Sequence, residues 1–164
     1  MLFGGSRILD VRVGQIQVDG RDANNVLASL LSPLTFHVIL LSGISFGGFN
    51  LVDISQLARR MRLPVIAIIG EKPDNASVRK ALRAHFGDWK ERWDIVRATG
   101  ELHSTKPLPD EPKLYFEVRG ATPEFAKRVI TSTAAISRLP EPIRVARILA
   151  RGLSELMQPK VLGG

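Results

Sequence analysis

Two aspartates, Asp19 and Asp22, are the residues of this 164-residue chain best placed to do chemistry. They flank the dipeptide Gly20-Arg21, between an extended segment and a segment with helical periodicity. Carboxylate oxygens at a strand end and a helix start can hold a divalent cation. The same pattern also fits a structural role, because Asp19 can fix a turn and Asp22 can cap the following helix. Both interpretations are open on this pattern alone.

A glycine-rich loop, residues 42–50, is the second candidate for a binding site. It follows a short apolar run, residues 36–41, and from Leu51 the apolar residues recur with helical spacing. A second apolar run, residues 65–69, comes next. This order of strand, loop, helix and strand predicts a βαβ unit with parallel strands, whose ligands bind beyond the carboxyl ends of the strands.

The composition of the loop favours a site over a simple turn. Gly43, Gly47 and Gly48 would by themselves allow a tight connection between strand and helix. Phe46 and Phe49 stand out among these small residues. They suggest a hydrophobic plug or a face on which a ring can stack.

The remaining elements must position these two groups within one α/β domain, residues 1–158, that is followed by a tail over 159–164. Residues 7–19 are predicted to form a strand with a bulge at Gly14, because the apolar alternation changes phase there. A turn at Gly4-Gly5 would pair this strand with a short stub, Leu2-Phe3. Further segments are predicted in chain order: helices over 23–31, 51–62, 75–86 and 89–99, strands over 101–105 and 113–118, and helices over 122–137 and 143–157.

The charge balance points to nucleic acid as the partner. The formal net charge is +7, and guanidinium groups suit contacts with phosphate. The densest basic region is interleaved with Trp89 and Trp93, and it is either a phosphate-contacting face or a solvated helical face. Its cations are Arg79, Lys80, Arg83, Lys90, Arg92 and Arg97.

Other classes of protein are disfavoured by what the sequence lacks. Without cysteine there are no disulfides, thiolate metal sites or cysteine nucleophiles. No apolar run is long enough to span a bilayer and no signal peptide is recognisable, so we expect a cytoplasmic protein without membrane contact. Ser45 has the letters of a G-x-S-x-G elbow, but no histidine follows His103 to serve as its base.

Four pieces of the sequence, in order, resemble an archaeal family of proteins related to endonuclease V, in which a member acts as an endonuclease at deoxyuridine. They are VDGRDA at 18–23, LSGISFGGFN at 41–50 with Asp53, LPVI at 63–66 and PEPIRVA at 140–146. The resemblance implies a ribonuclease-H-like α/β fold, with a mixed central sheet flanked by helices. It also implies a Mg²⁺- or Mn²⁺-dependent carboxylate site at the strand ends.

Carried over to this chain, the resemblance implies a site for hydrolysis of DNA at deaminated bases. Asp19 and Asp22 would be the catalytic and metal-binding carboxylates. A flipped base would lie in the loop near Phe46, and basic residues of the last helix would contact phosphate. The residues implied in substrate binding are Ser42, Gly43, Phe46, Gly47, Gly48, Asn50, Arg144 and Arg147.

The sequence departs from the family pattern in ways that bear on activity. It begins after the family's first strand, which carries an acidic pair, and we expect the exposed sheet edge to permit a homodimer. Ser42 stands where many relatives have Asp, and Arg147 where they tend to have His. Asp53 is only a distant third carboxylate, whereas two-metal hydrolysis needs several. The alternatives are therefore a nucleic-acid-binding protein without hydrolytic activity, or a protein whose loop binds a small molecule or partner.

Overall fold

The computed structural model describes residues 1–157, so the predicted tail over 159–164 lies outside the described residues. The described part contains both strands and helices. In chain order they are β1 (Leu2–Gly4), β2 (Arg7–Asp10), α1 (Ala23–Leu31), β3 (Ile39–Ser42), β4 (Ser45–Phe46), β5 (Asn50–Leu51), α2 (Ile54–Met61), β6 (Val65–Ile69), α3 (Asn75–His85), α4 (Trp89–Ala98), β7 (His103–Thr105), β8 (Leu114–Arg119), α5 (Pro123–Thr133) and α6 (Glu141–Met157).

The central sheet has four strands in the order β3-β6-β8-β7. Strands β3 and β6 are parallel, with Ile39 opposite Val65, as the predicted βαβ unit requires. Strand β8 runs antiparallel to both β6 and β7. The predicted mixed sheet is confirmed.

Helices pack on both faces of this sheet because successive side chains of its buried strands point to opposite sides. Val65 and Ala67 face a core shared with α1 and α2. Ile66 and Ile68 face a second core shared with α5 and α6. The sheet is therefore the middle layer of an α/β/α arrangement.

Helix α2 begins at Ile54, later than predicted, because Leu51 belongs to the short strand β5 instead. The Asp53 carboxylate accepts a hydrogen bond from Gln56 N at 2.9 Å and so caps the helix. Arg62 ends the helix in the left-handed conformation, with φ of +55°.

The amino-terminal segment differs from the prediction of one strand over residues 7–19. The pairing between β1 and β2 extends only to Asp10, and the chain then leaves the hairpin to cross α1. A Cβ atom at Gly14 would lie 2.9 Å from the side chain of Val26. Gly14 therefore permits a close approach to α1, and the predicted bulge is wrong.

Helix α6 buries less of its apolar stripe than its periodicity predicts. Ile143 is buried near the start of the helix, but Ile148 is 58% and Leu149 38% exposed. Over residues 1–157, no helix combines the length and apolar character that crossing a membrane would require.

Candidate functional site

The glycine-rich loop leaves β3 at the carboxyl end of the parallel strands and folds into a short hairpin, whose strands β4 and β5 have two residues each. Gly47 and Gly48 form its tip, with φ of +51° and +81°. A Cβ atom at Gly48 would collide with Asp19 Oδ1. Glycine is therefore required at position 48 by both the backbone conformation and the approach of Asp19.

Asp19 holds the tip of this loop through backbone and side chain together. Its backbone N–H donates to Gly47 O at 2.7 Å, and its Oδ1 accepts from Phe49 N at 2.8 Å. Asp19 is itself in the left-handed region, with φ of +56°, a conformation that Asp and Asn tolerate better than most residues. The carboxylate thus has a structural task in the described arrangement.

Asp22 and Asn50 form a second link between the loop and α1. Asn50 is fully buried; its Oδ1 accepts from Ala23 N at 3.1 Å, and its Nδ2 donates to Gln17 O and to the Asp22 carboxylate. The Asp22 carboxylate also accepts from Gln17 N and makes no cap hydrogen bond to α1, so Asn50 takes over the capping task. The hydrogen bond from Asn50 holds the pKa of Asp22 below its ordinary value.

Arg92 of α4 lies beneath the loop and is only 6% exposed. Its guanidinium donates to three backbone carbonyl oxygens, those of Asp19 at 2.9 Å, Gly20 at 3.1 Å and Phe49 at 2.6 Å. Its Nε donates to Asp88 Oδ1 at 2.9 Å. We define the loop cluster as the four residues that fix the loop against α1 and α4, namely Asp19, Asp22, Asn50 and Arg92.

Phe46 and Phe49 differ in what they contact. Phe46 packs at the edge of the core shared with α1 and α2. Phe49 meets Phe86 edge to face, with ring centroids 5.5 Å apart. In this arrangement both rings anchor the loop, as a hydrophobic plug would.

The remaining residues implied by the resemblance lie in two other places. Ser42 ends β3, and the neighbouring Gly43 N–H donates to Ile68 O at 2.9 Å.

Helix α6, which packs against β3, carries the two arginines of the resemblance. Arg144 forms a two-pronged ion pair with Glu141, where Nη2 approaches Oε2 to 2.7 Å, and this hydrogen bonding by Glu141 raises the pKa of Arg144. Arg147 lies exposed on the same helix. The two arginines therefore belong to a different element from the loop cluster.

The loop cluster offers two carboxylates, Asp19 and Asp22, for the divalent cation that the resemblance implies. The carboxylates of Asp19 and Asp22 already accept hydrogen bonds from Phe49 N, Gln17 N and Asn50. Within the described residues, no three Asp, Glu or His side chains are grouped so that they could hold a metal ion. Metal binding by Asp19 and Asp22 stays a prediction.

Arg92 is the residue that the sequence interpretation misplaces. The sequence groups it with the cations of a phosphate-contacting face, whereas its guanidinium points inward and contacts the backbone. The spacing of Asp88 and Arg92, one helical turn apart, is a signal for a local ion pair. Nothing in the spacing indicates the three carbonyl partners, since Asp19 and Gly20 lie 73 and 72 residues away in the chain.

Known proteins resemble this chain over most of its length. It is 40% identical over 159 residues to a UPF0215 protein of Methanopyrus kandleri, covering 94% of this chain and 80% of that one. It is 35% identical over 154 residues to a UPF0215 protein of Pyrococcus furiosus, covering 92% and 77%.

Two solved structures share the fold. A protein of unknown function from Archaeoglobus fulgidus superimposes with a TM-score of 0.75 at 32% identity, over 84% of this chain and 78% of that one. Endonuclease V of Ciona intestinalis, bound to DNA containing an inosine, superimposes with a TM-score of 0.51 at 16% identity, over 82% and 61%. This likeness confirms the predicted ribonuclease-H-like fold.

The family model for endonuclease dU matches residues 1–154, which include β1 to β8 and the loop cluster. This match and the archaeal relatives confirm the resemblance drawn from the sequence. The chain belongs to the endonuclease dU family.

Proposed function

We propose that this protein binds DNA at deaminated bases, with the glycine-rich loop as the part that meets the altered base. The carrying observation is the loop cluster, which fixes a loop of small residues at the carboxyl end of two parallel strands. Ligands of open α/β sheets bind at this edge. Membership of the endonuclease dU family and the likeness to an endonuclease V bound to inosine-containing DNA support the choice of ligand.

The beginning of the loop has the space that a base would need. A Cβ atom built at Gly43 would meet no heavy atom within 4 Å, so the backbone there is open. Ser42 and Gly43 would face one edge of a flipped base, and Phe46 would lie beside it. Gly47, Gly48 and Asn50 would support this pocket through their contacts with residues 16–19.

Phosphate contacts in this proposal come from α6. Arg147 is exposed, whereas the guanidinium of Arg144 is oriented by Glu141. A guanidinium with one edge held by a carboxylate can still donate from its remaining N–H groups. Arg144 would therefore position the strand and Arg147 would add charge.

The proposed activity has two forms. In the first form the protein hydrolyses the phosphodiester in a metal-dependent reaction, and Asp19 and Asp22 bind Mg²⁺ or Mn²⁺. The engaged carboxylates of the loop cluster favour a second form, in which the protein recognises the base without cutting the strand. In that form Asp19 and Asp22 keep the structural contacts described above. The two forms share the loop and differ in the chemistry of these two carboxylates.

Self-association through the sheet edge is a further part of the proposal. Strand β3 is hydrogen-bonded to β6 on one side and is the last strand of the sheet within residues 1–157. Its other side offers backbone groups that a second copy could pair with. Light scattering after gel filtration tests this, and a monomer at all protein concentrations would contradict it.

The decisive experiment uses labelled oligonucleotides that carry deoxyuridine, deoxyinosine or no altered base. Binding is measured by gel shift, and nicking is measured with Mg²⁺, with Mn²⁺ and with chelator. The test variant is Asp19→Asn, since Asn tolerates the left-handed backbone and keeps an acceptor for Phe49 N while it removes the charge. The matched control is Asp53→Asn, because Asn also caps helices.

Each outcome selects a form of the proposal. Metal-dependent nicking that is lost in Asp19→Asn and kept in Asp53→Asn supports the hydrolytic form. Preferential binding to the altered base without nicking supports the second form. Equal binding to altered and unaltered oligonucleotides, or no binding, contradicts the proposal.

A further inference from the structure

The outer side of the α3–α4 hairpin carries the chain's two tryptophans, Trp89 and Trp93. They are one helical turn apart on α4, so both rings lie on one stripe of the helix. Each ring has a cation over it: the guanidinium of Arg79 lies 5.8 Å from the Trp93 ring, and that of Arg83 lies 5.2 Å from the Trp89 ring. The ammonium of Lys90 lies 5.9 Å from the Trp89 ring. We call these five residues the tryptophan face.

A groove of about 460 Å³ runs along this face. It is open to solvent, and its walls combine indole rings with positive charge. The residues that line it are Arg79, Trp89, Lys90, Trp93, Asp94 and Arg97.

Among the side chains that the structure describes, those of residues 1–154, no ion pair involves Arg79, Arg83 or Lys90. A solvated helical face would be expected to carry both signs of charge in pairs.

One acid, Asp94, also lines the groove, where it pairs with Arg97. The other two acids near this face, Asp88 and Glu91, are turned to the other side of the hairpin. Asp88 pairs there with Arg92 and Arg21, and Glu91 pairs with Arg21. The tryptophan face is therefore left with an excess of positive charge that the protein itself does not neutralise.

The tryptophan rings also restrict where these cations can go. A guanidinium that lies over an indole ring is held by cation–π attraction and loses less freedom when it meets a ligand. Two guanidiniums held in this way are preorganised for groups that accept planar, two-pronged hydrogen bonds, and phosphate is such a group. The arrangement therefore suits a chain of phosphates better than a single small anion.

The position of α4 connects this face to the loop. The inner side of α4 holds the loop through Arg92, and the last turn of α4 contributes to two grooves. Arg97 lines the groove of the tryptophan face, whereas Ala98 lines a second groove of about 700 Å³ that also contains Arg59, Arg62 and Arg119. Two grooves that contain arginines thus lie at the end of α4, the helix whose inner side supports the candidate site.

We infer that the tryptophan face binds the sugar–phosphate backbone of the nucleic-acid strand that flanks the altered base. Arg79 and Arg83 contact phosphates, and Trp89 and Trp93 hold these guanidiniums in place. This inference rests on the proposed function for the identity of the polyanion. It adds a sequence-independent contact area that is separate from the loop and from α6.

The chain supplies its own reporter for this contact, since both tryptophans lie on the proposed surface. The experiment titrates the full chain with fluorescein-labelled, undamaged oligothymidylate and records label anisotropy and tryptophan emission together. We expect tryptophan emission to fall with the same midpoint as the rise in anisotropy, because bases brought near an indole ring quench it. The double variant Arg79→Gln/Arg83→Gln should bind more weakly.

Salt dependence identifies the contact as one with phosphate. Each phosphate contact to a single strand contributes about 0.7 to the slope of log K against log salt concentration, so the double variant should lower the slope by about 1.4. The matched control is Lys127→Gln/Arg128→Gln, two exposed cations of α5 on the opposite face of the sheet. Its slope should equal that of the parent protein.

The outcomes separate this inference from the proposed function. If DNA binds while tryptophan emission and the slope of the double variant are unchanged, the tryptophan face is not a contact and the inference is overturned, although binding at the loop stands. If emission and slope change as expected while altered and unaltered bases bind equally, the inference holds and the base-recognition proposal fails. If polyglutamate quenches tryptophan emission at the same concentration of charge, the face is a general anion surface and the inference is wrong.

Discussion

The two sides of α4 use the same residue types in opposite ways. On the inner side, Arg92 is buried and donates four hydrogen bonds, three of them to the backbone of the loop region. On the outer side, Arg97 pairs with Asp94 in a contact where the two side chains are 66% and 62% exposed. Trp89 and Trp93 keep part of their rings open to solvent beside it.

This difference separates stability from binding within one helix. A buried guanidinium that satisfies several carbonyls cannot be removed without leaving those acceptors unpaired. An exposed ion pair contributes little to folding, because water screens it and two long side chains must be ordered. We therefore expect substitutions on the inner side to unfold the loop and substitutions on the outer side to change binding alone.

The largest effect on the free energy of unfolding is expected from Arg92→Leu. The change leaves the carbonyls of Asp19, Gly20 and Phe49 without their donor and Asp88 without its buried partner, and it should lower the free energy of unfolding by roughly 3–5 kcal/mol. Urea denaturation measures this loss.

The matched control on the same helix is Arg97→Leu. It removes only an exposed ion pair and should change the free energy of unfolding by less than about 1 kcal/mol. Equal losses in both variants would erase the distinction between the two sides.

The next largest loss of stability is expected from Gly48→Ala, in the loop that Arg92 supports. Gly48→Ala places a Cβ atom against the Asp19 carboxylate and also puts a side chain in the left-handed region, which by itself costs about 1–2 kcal/mol. Gly43→Ala is the control, because its φ is +73° and its Cβ would be in open space. We expect the loss in thermal stability to be clearly greater for Gly48→Ala than for Gly43→Ala.

A second variant shows whether Asp19 causes that difference. In an Asp19→Gly background the Cβ introduced by Gly48→Ala would no longer meet a carboxylate, so the added cost of that substitution should shrink toward the cost of Gly43→Ala. An unchanged cost would mean that the inner contacts do not restrain the loop in the way the geometry indicates.

Features set by local sequence patterns could be predicted, whereas long-range contacts such as those of Arg92 could not. The βαβ unit and most helix bounds follow from local periodicity and capping. Asp19 and Asp22 meet the loop as expected, but not for the expected reason, because β2 stops at Asp10 and Asp19 lies at no strand end. The family resemblance supplied the fold. These inferences depend on patterns that are short in sequence or shared within a family.

The side of α4 that faces inward could not be predicted. The sequence interpretation places Trp89, Trp93 and Arg92 together on one basic face. In the structure both rings are half-buried on the outer side. Arg92 is buried on the inner side, where it donates to several carbonyls of the loop region. Likewise Val11 and Val13 alternate as in a strand, but they are exposed because the pairing with a partner strand does not extend beyond Asp10.

The smallest effect on stability is expected from Glu117, which contacts Thr99 at the end of α4. Thr99 follows the last turn, and its hydroxyl donates to Val96 O at 2.8 Å and lies 2.7 Å from Glu117 Oε1. A single hydroxyl proton cannot serve both acceptors, whereas a protonated Glu117 can donate to Thr99 Oγ1 and complete the chain. Burial raises the pKa of Glu117, in agreement with this arrangement.

The sign of the resulting pH dependence follows from linkage. Between the ordinary pKa of a glutamate and the raised value, the folded protein holds a proton that the unfolded chain has lost, so this group's contribution to stability falls as pH rises through that window. Other carboxylates with lowered pKa values act in the opposite direction, so the measurement is a difference in urea midpoint between the parent protein and Glu117→Gln at each pH. The difference should favour the parent most at the acid end and shift toward the variant as pH rises. Glu101→Gln changes an exposed glutamate, so its difference from the parent protein should not vary with pH. If the difference for Glu117→Gln also does not vary with pH, Glu117 is already ionised across the window. The protonated Glu117 would then play no part in the hydrogen bonds at the end of α4.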